Sequence, residues 1–186
     1  MKKYLLQLLA LIVVMAVGCK KEKAPENPIQ IGKFYQGGYI FSIDSVARTG
    51  LAMAPSETER PLPWGCTGTL VDIGGNPTDA IGWGLYCTSR MVYKCNEMNS
   101  AGQYCYNLSS GGYSDWYLPS LSELNTMLQK LIDISDAKLK PGIEYWAAFE
   151  ADANRGTSCK STEPGRGTFY SKSILKEIRA VRTFNY

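Results

Sequence analysis

The 186-residue chain contains no histidine. That removes Ser-His-Asp and Cys-His catalysis, His-ligated zinc and the commonest general base. None of its six cysteines is spaced Cys-x-x-Cys, so the sequence encodes neither a thioredoxin-like redox motif nor a zinc ribbon. No apolar run reaches the roughly 20 residues that span a bilayer. Charge of one sign is also missing. Removing residues 1–18 takes away Lys2 and Lys3 and no acid, leaving 18 basic against 17 acidic residues. A near-neutral chain of this kind is not expected to bind nucleic acid.

What is present starts at the N-terminus. Lys2 and Lys3 precede an apolar run from Leu5 to Val17, broken by Gln7. This is the layout of a secretory signal peptide. The run ends in Ala16-Val17-Gly18-Cys19, which resembles a bacterial lipobox. The expectation is cleavage before Cys19 and acylation of its thiol, giving a membrane partner through the lipid. Lys20 follows instead of aspartate, which points toward the outer membrane of a Gram-negative cell envelope. Residues 19–31 are rich in charge and proline and read as a flexible tether. Residues 32–186 are long enough for one domain with its own core.

Outside the cytoplasm disulfides persist. Five cysteines remain beyond Cys19: Cys66, Cys87, Cys95, Cys105 and Cys159. An odd number leaves at least one thiol over. Cys95 and Cys105 are not expected to join each other if one continuous helix carries both. Ten residues at 1.5 Å would then separate them by about 15 Å, against a Cα limit near 7 Å. Cys66 is therefore expected to pair with one of those two.

Gly37-Gly38 followed by Tyr39 to Ile43 reads as a strand, paired through the turn near Arg48-Thr49-Gly50 with Leu51 to Ala54. Residues 56–86 lack periodicity and need tethers, for which Trp64, Cys66, Trp83 and Cys87 are candidates. A first helix is expected from about Thr88, through Met91, Val92, Cys95 and Met98, with Tyr104, Cys105 and Leu108 continuing after a break near Gly102. A second is marked by Ser120 and Glu123 at capping-box spacing, followed by the stripe Leu121, Leu124, Met127, Leu128 and Leu131. Tyr145 to Phe149, Thr168 to Tyr170 and Ile178 to Phe184 read as later strands. Strands, two helices, then strands imply an α+β fold with a mainly antiparallel sheet.

The stretch Gly111-Gly112-Tyr113-Ser114-Asp115-Trp116-Tyr117-Leu118-Pro119-Ser120-Leu121-Ser122-Glu123-Leu124-Asn125 resembles the C-terminal domain of the Legionella collagen-like protein family. Further pieces agree in order: Gly37 to Phe41, Gly50 to Pro55, Pro63 to Cys66, Tyr145-Trp146 and Arg179 to Phe184. The resemblance implies a C-type-lectin-like fold with two helices, a twisted antiparallel sheet, long loops and terminal strands side by side. It also implies a binding module associated with adhesion to sulfated glycans, although a fold does not establish a function. The chain departs from the family at Ala147 and Ala148, where hydroxyls are usual, and in residues 151–167. Cys66, Cys95 and Cys105 match cysteines common in these lipoproteins. Cys87 and Cys159 look like a pair of additions and are expected to bridge each other.

Three sites compete. Calcium would need several carboxylates, and Asp115, Glu123 and Asn125 are close in sequence. Glu123 is already explained as a cap, however, and Asp115 as a turn acceptor. Glu163-Pro164-Gly165 lacks the amide of a sugar-binding lectin motif. A second candidate is basic: Arg155, Lys160 and Arg166 lie in a Gly-rich segment expected to be an exposed loop, and guanidinium groups bind sulfate or carboxylate bidentately. Residues 151–186 hold seven basic and three acidic residues. The third is aromatic. Trp116 and Trp146 read as core, whereas Trp64, Trp83 and Tyr86 are better placed to stack on a sugar. The expectation is a binding module for an acidic or sulfated glycan, with no catalytic residues, metal or cofactor; a structural envelope lipoprotein is the alternative.

Overall fold

A computed structural model describes residues 29–71 and 80–186. The expected signal peptide, Cys19 and most of the expected tether lie outside the described residues, as do residues 72–79. The described chain is α+β. Strands β1 (Phe34–Tyr35), β2 (Gly38–Asp44), β3 (Thr49–Met53) and β4 (Arg60–Pro63) come first. Helices α1 (Gly84–Cys95), α2 (Ala101–Tyr106) and α3 (Leu121–Leu131) follow. Strands β5 (Glu144–Glu150), β6 (Arg155–Lys160), β7 (Gly167–Ser171), β8 (Leu175–Ile178) and β9 (Val181–Asn185) complete the order.

The strands form two sheets. One has the order β1-β2-β3-β9 and is antiparallel throughout. The other has the order β4-β8-β5-β6-β7, in which β8 and β5 run parallel and the remaining pairs antiparallel. The C-terminal strand returns to the N-terminal sheet, but it lies beside β3, not beside the first strand.

Strand β5 joins the two halves of the core because successive side chains point to opposite faces. Trp146 and Ala148 pack with Trp64, Trp116, Met91 and Cys105 on the α1–α2 side. Tyr145 and Ala147 pack with Leu124, Met127, Leu128 and Leu131 of α3 on the other side, where Phe41, Leu51 and Met53 close the core. Ala147 and Ala148 are both fully buried, so small apolar side chains suit the contact.

Several expectations are corrected. The described residues form three α-helices, not two, because α1 ends at Cys95 with Asn96 in the left-handed region and Ser100 caps a separate α2. Helix α1 starts at Gly84, not Thr88. Thr88 is buried within it, where its hydroxyl donates to the Leu118 carbonyl and accepts from the Leu118 amide, tying α1 to the Trp-Tyr-Leu-Pro stretch. Residues 155–160 form a strand held on both sides, not an exposed loop. The run from 178 to 184 is split at Arg179-Ala180, where the chain leaves one sheet for the other. Arg179 is buried there, its guanidinium paired with Glu59.

Cys66 bridges Cys95, with Cα atoms 5.4 Å apart. The expected Cys87–Cys159 bridge is absent, and both remain thiols. Cys87 lies on the buried face of α1 among the α1–α2 core residues, whereas Cys159 lies on β6 in the α3 core and donates to Asn125 Oδ1. Burial pushes the Cys87 thiol up to about 12 and raises those of Cys105 and Cys159 as well.

Candidate ligand-binding face at the start of the first helix

The capping box at Ser120 does more than start α3. The Ser120 hydroxyl accepts from the Glu123 amide, and Glu123 Oε2 accepts from the Ser120 amide at 2.8 Å. The same two side chains reach out to the end of the long loop. Ser120 Oγ donates to the Ala80 carbonyl at 2.7 Å, and Glu123 Oε1 accepts from the Gly82 amide at 2.8 Å. Residues 80–84 are thus fastened to the N-terminus of α3, where carboxylates are favoured by the unsatisfied amides and the helix dipole. Burial pushes the Glu123 carboxyl above its ordinary value, and hydrogen bonds from the Ser120, Gly82 and Gly84 amides pull the other way. Gly84 is required by this contact: a Cβ there would lie 2.8 Å from the Ser120 nitrogen and 2.7 Å from Tyr117 Cε2 and would also run into Glu123 Oε2.

Fixing residues 80–84 sets the aromatic side chains that follow. Trp83 is half-buried against the α1–α2 core, and its ring meets Tyr86 edge-on at 5.3 Å. Tyr86 is 46% exposed and Tyr93, two turns further on, is 79% exposed. Trp83, Tyr86, Arg90 and Tyr93 fall on one stripe by helical spacing, opposite the buried Gly84, Cys87, Thr88 and Met91. On the other side of residues 81–82 lies a cleft of about 160 Å³ against β2, β3 and β9. Ser42, Asp44, Thr49 and Thr183 line it together with Leu51 and Ile81. One short segment therefore separates an exposed aromatic stripe from a hydroxyl-lined cleft.

The residues singled out from sequence are dispersed. Trp64 is fully buried: its indole N–H donates to the Ala147 carbonyl, Gly156 packs on its ring and Lys172 sits 4.6 Å from the ring centroid. It is a core residue, not a stacking platform. Lys172 also pairs with Glu150 at 2.7 Å and donates to the Thr69 carbonyl, so it helps Trp64 hold the long loop. Trp83 and Tyr86 stay at the surface, but at the start of a helix and not within a loop.

The basic trio does not converge. Arg155 and Lys160 begin and end β6, about 16 Å apart at 3.3 Å per residue, and an odd separation points them to opposite faces. Arg155 pairs with Asp152 at 2.7 Å and Lys160 with Glu163 at 2.9 Å, so each carries its own neutralising acid. Arg166 is exposed in the turn beyond Lys160. The three calcium candidates are also engaged elsewhere. The Asp115 carboxylate takes Arg182 Nε at 2.7 Å and Nη2 at 2.9 Å beside a backbone amide. Asn125 Oδ1 accepts from Gly165 and Cys159, and Glu123 holds backbone amides.

The chain matches no protein-family model, and no curated protein matches it.

Proposed function

We propose that the chain is a lipid-anchored binding module of a Gram-negative cell envelope, C-type-lectin-like in architecture, that recognises a carbohydrate through the start of α1. The observation that carries this reading is the pairing of half-buried Trp83 and exposed Tyr86 and Tyr93 with a hydroxyl-lined cleft across residues 81–82. The C–H faces of a sugar ring pack on aromatic faces, and its hydroxyls need hydrogen-bonding neighbours beside them. Trp and Tyr provide both kinds of contact at low entropic cost. The two sheets, the Trp-Tyr-Leu-Pro stretch joining α1 to α3, and the return of β9 to the N-terminal sheet support the lectin-like architecture. The Ala-Val-Gly-Cys sequence supports the anchor.

This differs from the expectation of a polyanion held by Arg155, Lys160 and Arg166, which the local ion pairs disfavour. The test is a glycan array probed with the full chain and with the Tyr86→Ala/Tyr93→Ala double variant, whose two side chains are the exposed members of the stripe. Binding to a defined set of glycans, lost in the double variant at unchanged thermal stability, is expected. No glycan bound, or binding indifferent to both substitutions, would leave the structural-lipoprotein alternative. Metabolic labelling with a fatty-acid analogue tests the anchor separately: label is expected in the native chain and not in Cys19→Ala.

A further inference from the structure

The inner face of the N-terminal sheet changes character along its length, and it does so at the same level on three strands. Pairing aligns Tyr39 with Met53 and Met53 with Val181, all within or against the α3 core. One step along, Ser42 faces Leu51 and Leu51 faces Thr183. A further step aligns Asp44 with Thr49. The apolar face that α3 covers thus becomes hydroxyl and carboxylate in register, and there, among the described residues, Ile81 and Gly82 stand over it, forming the cleft.

Its hydrogen-bonding polarity is set from behind. Tyr117 donates to Glu123 Oε1 across 3.5 Å and lies 3.2 Å from Thr183 Oγ1. With the phenol proton directed at a carboxylate, the Tyr117 oxygen accepts from Thr183, and the Thr183 oxygen is left as an acceptor. Asp44 is the second acceptor: its Oδ1 is used by the Val46 and Ala47 amides, which leaves Oδ2. Among the described residues, no lysine or arginine lines the cleft. Its volume of about 160 Å³ is below the roughly 300–1,000 Å³ of sites for drug-sized ligands.

We propose that this cleft is a subsite for one neutral sugar unit, whose hydroxyls donate to Thr183 and Asp44 and bond the Ser42 hydroxyl while Leu51 and Ile81 pack its apolar face. The choice of a sugar rests on the carbohydrate reading above; the preference for donors and against anions rests on the cleft alone. Uronic acids and sulfated units are rejected, because their charge would meet the Asp44 carboxylate with no cation to offset it.

The experiment is a titration of the isotopically labelled full chain in detergent with D-glucose, D-mannose, N-acetyl-D-glucosamine and D-glucuronate, followed by amide resonances. At least one neutral sugar should shift the amides of Thr49, Gly50, Gly82 and Thr183, and glucuronate should not. Thr183→Val and Ser42→Ala should each weaken that binding about fivefold or more, the loss expected for one hydrogen bond. Ser42→Ala keeps the test in force if Thr183→Val fails to fold. Cleft amides unmoved by every neutral sugar, glucuronate binding as well as the neutral sugars, or affinity unchanged in both variants would each overturn the proposal. Shifts confined to Trp83, Tyr86 and Tyr93 would overturn the cleft subsite and leave the carbohydrate reading standing. Shifts in neither place, beside an empty glycan array, would remove both.

Discussion

Replacing Gly84 by alanine separates helix propensity from packing, because the two give opposite signs. In a helix, alanine is favoured over glycine by about 1 kcal/mol, so propensity alone predicts a more stable variant. The structure predicts the reverse. The added Cβ would lie 2.8 Å from the Ser120 nitrogen and 2.7 Å from Tyr117 Cε2 and would collide with Glu123 Oε2, where ordinary contacts are about 3.5–4.0 Å. The Ser120 backbone and the buried Glu123 are held by the capping box and cannot swing aside, so α1 must lift away from α3. Overpacking costs about 1–3 kcal/mol. Losing an amide bond to a buried carboxylate adds about 1.5–3 kcal/mol. After the propensity gain, the net loss is about 2–4 kcal/mol, a large part of the 5–15 kcal/mol of a typical domain. The melting temperature should fall by roughly 5–15 °C. Gly102→Ala is the comparison: its Cβ would meet Met91 Cε at 2.9 Å and Sδ at 3.1 Å, which can turn aside, and Met91 Cβ at 3.0 Å, which needs only a small shift, so its loss should be smaller. Denaturant unfolding of both variants measures the difference. A Gly84→Ala variant as stable as the parent, or less affected than Gly102→Ala, would refute the docking of residues 80–84 on the α3 cap.

Three further outcomes are expected. Cys95→Ser, which opens a disulfide spanning 29 residues, should lower stability by about 3–4 kcal/mol in chemical denaturation; Cys105→Ser should leave the Cys66–Cys95 bridge intact in non-reducing peptide mapping. The hydrogen-bonded Arg182 guanidinium holds the Asp115 carboxyl below its ordinary value. The stability it contributes is therefore full above the unfolded carboxylate value of about 3.9 and is lost as pH falls through the lower folded value; Asp115→Asn should flatten that part of the acid limb of a pH–stability curve. Changing Arg155, Lys160 and Arg166 together to serine should leave retention on a heparin-type column and the melting temperature nearly unchanged, since exposed pairs contribute only about 0.2–1 kcal/mol each.

The parts of the fold legible in the sequence are those with local signals. Ser120 and Glu123 at capping spacing, followed by an apolar stripe, mark α3, and the cap forms as the spacing predicts. Tyr145 to Phe149 reads as a strand from composition, and burial on both faces explains its continuous apolar character. Strand β6 was hidden because Arg-Gly-Thr-Ser-Cys-Lys carries little intrinsic β preference. Pairing with β5 and β7 and the close approach of Trp64 to Gly156 impose it, which is tertiary context overriding propensity. The start of α1 was hidden for a related reason. Trp83 caps it without a side-chain hydrogen bond, and the glycines on either side read as a turn. What holds that turn is the cap of another helix 36 residues later, which no local pattern carries.

The binding face shows the same division more sharply. Trp83 and Tyr86 are conspicuous in sequence because aromatic side chains outside a periodic segment need an explanation, and they do reach the surface. Arg155, Lys160 and Arg166 are conspicuous for their charge, yet an ion pair within three residues removes the force of the argument for two of them. Ser42, Thr49 and Thr183 carry no signal at all, since a hydroxyl on a strand is ordinary. They become a site only when two independent registers, β2 with β3 and β3 with β9, bring Ser42 and Thr183 to one level across Leu51, with Thr49 one step beyond. A one-residue slip in either would send one of them to the opposite face and restore an unremarked surface. The bulge between Ile40 and Ser42 fixes the first register, and the hydrogen bonds between Tyr117 and Val181 hold β9 in the second. Tyr117 is thus held in place by the strand that carries Thr183, and its hydroxyl sits between Thr183 and the α3 cap. The cap that positions Trp83 and the phenol that orients Thr183 meet at one carboxylate, Glu123. Substituting Glu123 should therefore disturb the aromatic stripe and the cleft together, whereas Tyr86 or Ser42 should each affect only its own side.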